Sequence, residues 1–494
     1  MSRIMAALRR HAVATPEKVA MTDGALALTY GQLLPEVEHL AGLLRQSGPR
    51  AVAILADNGC PWGLADLAAH LAGIPCIPLP PFFSAAQIAH AIRTAGVDLV
   101  LTDNPDPLKN ALGERELPTS PFHASLLQVR LPQAAAGMAL PAGTLKVTFT
   151  SGTTGEPKGV CLGGDEMETV AESLRIASAA GSGDRHLCLL PLATLLENIG
   201  GIYTPLLAGA TLCVPPMADI GLSGSSGLDV GRLTAALSRW EASTAIMVPQ
   251  MLQALVVAGR GGLPMPRTLR YLAVGGAPVS PHLLQEARAL GLPVHEGYGL
   301  SECASVVAVN RPAESRIGSV GKPLPHVRIA FAADGEILVH GVRWRGYLGE
   351  GAPPCPDGGI ATGDLGHLDQ DGFLHITGRK KSIFITSFGR NIAPEWIERE
   401  LMSRPAIRQA AVFGEGRPFN CAVIVASPTA APEAIADVLA EINRQLPDYA
   451  RVGAWLPARE PFTPHNGMTT PNGRWRRQAI LAAYAGPIDA LYQP

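Results

Sequence analysis

The sequence carries almost no net charge: 40 lysines and arginines stand against 42 aspartates and glutamates, a formal −2 over 494 residues. Nothing in that balance implies a nucleic-acid or anionic-membrane partner. No two of the eight cysteines (Cys60, Cys76, Cys161, Cys188, Cys213, Cys303, Cys355, Cys421) sit at CxxC spacing. That argues against a zinc site and a disulfide framework and suits a reducing cytoplasm, the expected location. Most of them lie in apolar runs, as small core hydrophobes do. The N-terminal stretch Met1-Ser-Arg-Ile-Met-Ala-Ala-Leu-Arg-Arg has no signal-peptide h-region and reads as the start of an amphipathic helix. The longest uncharged stretch, Asn198 to Ala218, is interrupted by Pro205, Pro215, Pro216 and several glycines. A buried strand-turn unit is expected there and no transmembrane segment. There is no internal repeat.

What remains is a folded chain, 47% hydrophobic and 17% charged, long enough for two or more domains. Up to about residue 310, apolar strand-like runs (Ala51–Leu55, Leu99–Thr102, Leu145–Thr150, His186–Leu190, Ala210–Val214, Thr244–Val248, Leu269–Val274) alternate with helix-period segments such as Trp62–Ala72 and Ser84–Ala95. The pattern predicts an α/β fold of mostly parallel sheets covered by helices. From about 314 to 380 the texture becomes β-rich. Val327-Arg-Ile-Ala-Phe and Glu336-Ile-Leu-Val-His flank Asp334-Gly335, and His367-Leu-Asp and Phe373-Leu-His-Ile flank Asp371-Gly372. Both read as antiparallel hairpins. The last ~115 residues read as a small α+β domain, with helices at Pro394–Met402 and Pro432–Leu446 and strands at Gln409–Phe413 and Ala422–Val425. The expected division is a large domain over 1–380 and a small mobile one over 381–494.

The most informative segment is Val147-Thr-Phe-Thr-Ser-Gly-Thr-Thr-Gly-Glu-Pro-Lys-Gly-Val160. An apolar strand ends in hydroxyl residues and glycines, then a lysine. Glycines let backbone fold closely around phosphate oxygens, hydroxyls add donors, and Lys158 supplies a point charge. This is no Walker loop, because Gly159 follows Lys158 and no glycine precedes it. Thr150, Ser151, Gly152, Thr153, Thr154, Gly155 and Lys158 are therefore candidate phosphate ligands.

Glu296-Gly-Tyr-Gly-Leu-Ser-Glu302 offers an aromatic ring beside glycines, which can stack on a base, and a carboxylate able to hold magnesium. Gly275-Gly-Ala-Pro278 at a strand end permits close ligand approach, or is an ordinary strand-to-helix turn. Thr362-Gly-Asp-Leu-Gly366 supplies a carboxylate suited to sugar hydroxyls, or an Asx turn.

These segments, in this order, resemble the motifs of the acyl-activating adenylate-forming superfamily: acyl-CoA synthetases, nonribosomal-peptide adenylation domains and luciferases. The resemblance runs from Thr29-Tyr-Gly-Gln-Leu33 to Arg477. It implies ATP and Mg²⁺ as cofactors and a carboxylic acid as substrate. By resemblance, Tyr298 beside Gly297 stacks on adenine, and Glu296 lies where an acceptor for its amino group is expected. Ser301 approaches the α-phosphate and Glu302 ligates the metal. Gly275, Gly276 and Ala277 line the nucleotide and acyl pockets. Asp364 takes the ribose hydroxyls, Arg379 lies near ribose and phosphate, and Lys381 is the interdomain hinge. Gly389, in Ser387-Phe-Gly-Arg-Asn-Ile-Ala-Pro-Glu395, leaves room for a pantetheine thiol or simply turns into a helix.

Three details resemble medium- and long-chain fatty acyl-CoA synthetases: Pro191-Leu-Ala-Thr-Leu-Leu-Glu197-Asn, the Leu-Ser-Glu form of the magnesium motif, and Phe462-Thr-Pro-His-Asn-Gly467. In that reading Glu197 assists the metal. Asn198 and Gly200 leave space for an apolar chain, or mark tight packing. One position departs from the family: where a catalytic lysine is expected in the C-terminal loop, the chain has Arg474. Arginine keeps the charge but presents a broader, planar fork. Either Arg474 fills the role, or Arg476 or Arg477 does, or adenylation is slow. The implied reaction is acid activation as acyl-AMP with pyrophosphate release, then acyl transfer to coenzyme A or to the phosphopantetheine of a separate acyl carrier protein. A nucleotide-binding pseudoenzyme and an oxidative luciferase-like enzyme are the alternatives from other classes.

Overall fold

Short apolar runs become the inner strands of two sheets in the computed structural model, which describes residues 2–131, 137–150, 158–224, 227–350, 358–470 and 473–493. One sheet has the order Lys322–Pro323, Ala308–Val309, Val294–Tyr298, Tyr271–Val274, Thr244–Met247, Arg185–Leu187, Thr211–Cys213, Val19–Thr22, Ala27–Thr29. The other runs Thr119–His123, Leu126–Arg130, Leu99–Thr102, Val52–Leu55, Cys76–Pro78, Lys146–Thr150, Lys158–Leu162. Inside each sheet the pairing is parallel, as the continuous apolar runs require. The edges depart from that expectation. Strands that follow their partner through a short connection fold back antiparallel, so Lys158–Leu162 pairs with Lys146–Thr150 as a hairpin, Thr150 opposite Lys158.

Helices begin and end where the sequence supplies the chemistry. Arg3–Ala14 starts at Ser2, whose hydroxyl accepts from the Met5 amide. Ala85–Ala95 carries a Ser84/Gln87 capping box and stops at Gly96 in the left-handed region. Apolar faces of these helices join the strands in continuous cores that include Trp62, Tyr30 and Tyr203.

The uncharged run after Glu197 is a correction to the sequence reading. It is helical, a π-turn at Asn198–Tyr203 followed by Thr204–Ala208, with only Thr211–Cys213 extended. Gly200 and Gly201 do not break the helix; they let it pack against neighbours. A Cβ at Gly200 would lie 2.6 Å from Ile246 Cδ1.

Both expected hairpins form, joined in a four-stranded antiparallel sheet of Arg328–Phe331, Glu336–His340, Ile360–Leu368 and Leu374–Arg379. Residues beyond 384 build their own cores. Helices Pro394–Met402 and Pro432–Gln445 pack with the sheet Ile407–Phe413, Asn420–Ala426, Val452–Pro457, and Arg477–Ala490 closes its other face. The architecture is α/β: a large N-terminal part of mixed sheets and helices, and a small C-terminal α+β part. Among the described residues no helix is long and apolar enough to cross a membrane.

Candidate active site

Parallel strands open a crevice at their carboxyl ends, and the sequence motifs gather there. Tyr271–Val274 delivers buried Gly275 and exposed Gly276 and Ala277. Gly276 has φ +83°, a conformation other residues rarely adopt. The adjacent strand Val294–Tyr298 carries Glu296, Gly297 and Tyr298. A Cβ on Gly275 would meet the Gly297 carbonyl at 3.1 Å, so the two glycines allow the strand ends to close together. A single 3₁₀ turn, Ser301–Cys303, then presents Ser301 and Glu302. It is followed by two non-glycine residues in left-handed backbone, Ala304 (φ 51°) and Ser305 (φ 89°), a strain of about 1–3 kcal/mol each that clusters at functional sites.

The four-stranded sheet adds the next wall. Asp364 and Arg379 are cross-strand partners. Arg379 Nε donates to Asp364 Oδ1 at 2.7 Å, and the Tyr298 hydroxyl donates to Asp364 Oδ2 at 2.7 Å. Asp364 is 3% exposed; each oxygen keeps a further lone pair for a ligand hydroxyl. Burial would lower the Arg379 pKa, but Asp364, Tyr298 and Glu395 outweigh it and raise it. Tyr298 is raised by burial and by Asp364, so its phenol stays protonated and its ring is fixed at the crevice. Glu296 is buried, and desolvation pushes its carboxyl up to about 7 against the opposing charge of Arg399.

The phosphate-loop hairpin enters from the second sheet. Ser151, Gly152, Thr153, Thr154 and Gly155 lie outside the described residues. Its two ends do not: the Thr150 hydroxyl approaches the Lys158 carbonyl at 3.4 Å, and Lys158 Nζ pairs with Glu350 at 3.0 Å and lies 5.0 Å from the Tyr347 ring centroid. Tyr347 in turn donates its hydroxyl to Glu302 Oε1 at 2.8 Å. Among the described residues only this hydrogen bond holds the Glu302 carboxylate, leaving lone pairs for a hard cation of the magnesium type.

From the C-terminal part comes the loop at Arg474. Its backbone is a tight turn, Thr470 N to Arg474 O at 2.8 Å, pinned by Trp475 Nε1 to the Ala410 carbonyl at 2.9 Å. Arg474 is exposed, and Arg379, Asp364, Glu302 and Tyr298 act on it electrostatically. Partial desolvation and the like charge of Arg379 lower its pKa, while the two carboxylates raise it. Arg477 is engaged elsewhere: it forms two 2.6 Å bonds with the Glu398 carboxylate. Of these two arginines, Arg474 is the one on which Asp364, Glu302 and Arg379 act electrostatically. Lys381 lies in an exposed turn between Leu374–Arg379 and Phe384–Ile385. Gly389 sits at φ +71° in the exposed turn before Asn391–Ile392, and a Cβ there would meet none of the described residues within 4 Å.

Two sequence assignments are corrected. Glu197 is wholly buried, accepting from the Leu190 amide at 3.2 Å and facing His186 Nε2 at 3.2 Å. With Cys188 these groups form a soft nitrogen–sulfur–carboxylate cluster, unlike the all-oxygen shell magnesium requires; Glu197 is committed to the core. Asn198 is likewise no pocket residue. It accepts from Lys146 and donates to Asp66 Oδ2 at 3.1 Å, inside a buried network with Tyr203. Sequence reasoning missed that network, although a lone aspartate in the apolar helix Cys60–Ala72 and a lysine in the apolar strand Lys146–Thr150 are unusual enough to signal it. It also missed Tyr347, whose aromatic ring stands in the cationic run Arg343-Trp-Arg-Gly-Tyr.

The chain matches the family described as AMP-binding enzyme over residues 8–348 and that family's C-terminal domain over 381–494. It is 27% identical to a long-chain-fatty-acid–CoA ligase of Mycobacterium bovis over 563 aligned positions, covering 95% of this chain and 92% of the relative. It is 31% identical to an indoleacetate–CoA ligase of Aromatoleum aromaticum, covering 82% and 84%. Among solved structures, the o-succinylbenzoate coenzyme A synthetase of Bacillus subtilis in complex with ATP and magnesium ion superposes with TM-score 0.75 at 25% identity, covering 96% of this chain and 98% of that one. An anthranilate CoA ligase in complex with anthranoyl-AMP shares the fold with TM-score 0.81 at 18% identity, covering 98% and 97%. The fold and these matches define an adenylate-forming acid–thiol ligase. The chain belongs to the AMP-binding enzyme family.

Proposed function

We propose that the chain uses ATP and Mg²⁺ to convert a fatty acid to its acyl-AMP and then transfers the acyl group to the thiol of coenzyme A. The observation that carries this reading is the constellation around Asp364: Arg379 and Tyr298 hold its carboxylate at 2.7 Å each, and Asp364, Arg379 and Glu302 act electrostatically on Arg474 of the C-terminal loop, a cation suited to the charge that develops as a carboxylate attacks the α-phosphorus. For the acid, the relative matched over 95% of the chain acts on long-chain fatty acids, and the Pro191–Glu197 run points the same way. Other relatives are named for aromatic acids, which makes fatty and aromatic acids the two arms of the test.

The roles proposed rest on the motif resemblance and, for the described residues, on their neighbours in the site. Asp364 accepts the ribose hydroxyls while Arg379 and Tyr298 hold it still. The Tyr298 ring supports the adenine, and Glu296, with Gly275, Gly276 and Ala277, borders it. Thr150, Ser151, Gly152, Thr153, Thr154, Gly155, Lys158 and Ser301 cradle the phosphates. Glu302 would hold Mg²⁺, which when bound neutralises polyphosphate charge and favours departure of pyrophosphate. Arg474 binds the carboxylate and α-phosphate oxygens together, and being cationic before the reaction it stabilises the charge without reorganisation. In-line approach of the two substrates is then a matter of positioning. For the second half-reaction, the domain over 381–494 turns about Lys381 and withdraws Arg474. Gly389 then borders the thiol's path, and the thiol attacks the acyl carbonyl while AMP leaves.

The test is pyrophosphate release from ATP and Mg²⁺ across fatty and aromatic acids, first without thiol and then with coenzyme A. Release driven by fatty acids and accelerated by coenzyme A is the expected result. Release that coenzyme A does not accelerate moves the acceptor to a phosphopantetheinyl carrier protein. Nucleotide binding without release for any acid overturns the enzymatic reading.

A further inference from the structure

We propose that Tyr347 is a positioning residue that holds the Glu302 carboxylate and the Lys158 ammonium in register, with Glu350 a stand-in counter-ion that the phosphates of ATP replace. This rests on reading Glu302 as the metal carboxylate.

Several observations converge on the strap 343–350. It is built in, not draped: the Leu348 amide donates to the Gly159 carbonyl at 2.8 Å, and the Cys161 amide to the Gly346 carbonyl at 2.9 Å. Tyr347 bridges to Val160 on the lysine strand, so the strap extends the phosphate-loop hairpin by one edge. Arg345 ties it to Glu166 at 3.0 Å, and Leu348 is buried in the core beneath. The Tyr347 ring is locked edge-on against Trp344 at 4.9 Å. A ring so fixed offers its hydroxyl to Glu302 at 2.8 Å and its face to Lys158 Nζ at 5.0 Å. One side chain thus touches both charged groups that the reaction requires. The last observation is the pair of Lys158 with Glu350 at 3.0 Å, both about half exposed (46% and 60%). Such a surface pair is weak; it gives the lysine a partner over the Tyr347 ring yet yields to a polyphosphate.

A hydrogen bond that orients a metal-binding carboxylate is worth roughly tenfold or more in metal affinity. The Phe variant keeps the ring over Lys158 and against Trp344 and removes only the hydroxyl. Calorimetric titration with a non-hydrolysable ATP analogue, in Mg²⁺ and again in chelator, gives the metal's contribution as the ratio of the two affinities. Tyr347→Phe is expected to lower that ratio about tenfold and leave the chelator value unchanged. Glu302→Gln should abolish the ratio, and adding Tyr347→Phe to it should then change nothing further. Glu350→Gln should tighten analogue binding in chelator by about two- to fivefold, because a competitor for Lys158 is gone. If Glu302→Gln alone leaves the ratio intact, the metal assignment is wrong. If it abolishes the ratio while Tyr347→Phe does not move it, the assignment stands and the positioning role of Tyr347 is overturned. If Tyr347→Phe lowers the melting temperature and both affinities alike, the residue is a packing element and the proposal fails. Glu350→Gln binding no tighter in chelator would remove the counter-ion half of the proposal.

Discussion

Two lysines stand at opposite ends of the same hairpin and have opposite fates. Lys146 opens the strand Lys146–Thr150 and is 1% exposed. Its ammonium donates to Asp66 at 2.8 Å, to Tyr203 at 3.0 Å and to Asn198, while Tyr203 and Asn198 both donate to the other Asp66 oxygen. Burial would raise the Asp66 carboxyl; Lys146 and these hydrogen bonds hold it below its ordinary value. Lys158, across the turn, keeps 46% of its side chain in water beside an exposed glutamate. A charge that must stay put is given every hydrogen bond it can make, out of water. A charge that must meet a ligand is left with a replaceable partner. The first arrangement fixes the strand from which the second acts.

Breaking that comparison is expected to give the largest effect. Lys146→Met leaves Asp66 buried without its counter-ion, and removing one partner of such a pair costs about 3–5 kcal/mol. Lys158→Met should cost under about 1 kcal/mol, yet slow acid-dependent pyrophosphate release by roughly 100-fold or more, as loss of a preorganised charge does. Urea midpoints and initial rates on the two variants separate the outcomes. Equal destabilisation by the two substitutions would refute the division of labour.

The same contrast recurs within one loop of the small domain. Arg477 clamps the 2%-exposed Glu398 side chain with two 2.6 Å bonds, itself 20% exposed. Arg474, three residues earlier, is exposed and has no ion pair among the described residues. Arg477→Ala should destabilise the C-terminal part by roughly 2–4 kcal/mol, less than for a fully dry pair because water reaches the arginine. Arg474→Ala should leave thermal stability within about 0.5 kcal/mol and lower pyrophosphate release roughly 100-fold, with Arg474→Lys retaining more of the rate than alanine. A stable Arg474→Ala enzyme at full rate would transfer the role to another cation.

What the sequence disclosed follows the same line. Residues in local motifs were legible as neighbours: Tyr298, Asp364 and Arg379, from three separate segments, meet in direct hydrogen bonds, and the hairpins at Asp334-Gly335 and Asp371-Gly372 were marked by their turns. Residues whose meaning lies in a distant partner were not. Asp66 and Lys146 are 80 positions apart, and Tyr347 acquires its role only where the chain lays it beside Val160 and Glu302. Glu197 was misread, and Asn198 was left between two readings, because a polar pair ahead of small residues looks the same whether it faces a pocket or a packed core. Hydrophobic period finds strands but does not say which of two sheets takes them. The run Asn198–Tyr203 shows a further limit: of two glycines that suggest a turn, Gly200 lets a helix approach Ile246 and Gly201 leaves room for Glu197 and Cys188.

Glu296 adds a third state to the comparison, a carboxyl neither caged by a cation nor left in water. Desolvation raises it from 4.5 to about 7, with Arg399 only partly opposing. In the unfolded chain the proton leaves near 4.5; in the folded protein it stays until about 7. Between those values the native state binds more protons, so stability falls as pH rises, by about 1 kcal/mol per unit from pH 5 to 7, and levels off above. His295, next in sequence, works in the opposite sense: burial, with Arg288 and Arg270, lowers it from 6.5 to about 4. Its stabilising contribution is lost as pH falls through that range. The two slopes mask each other in the parent protein, and the substitution Glu296→Gln separates them. The variant cannot ionise at this position, so its melting temperature without ligand should fall less, or rise more, than the parent's between pH 5 and 7. Parallel pH profiles for parent and variant would mean that Glu296 is already ionised in the folded protein, with Arg399 compensating it fully.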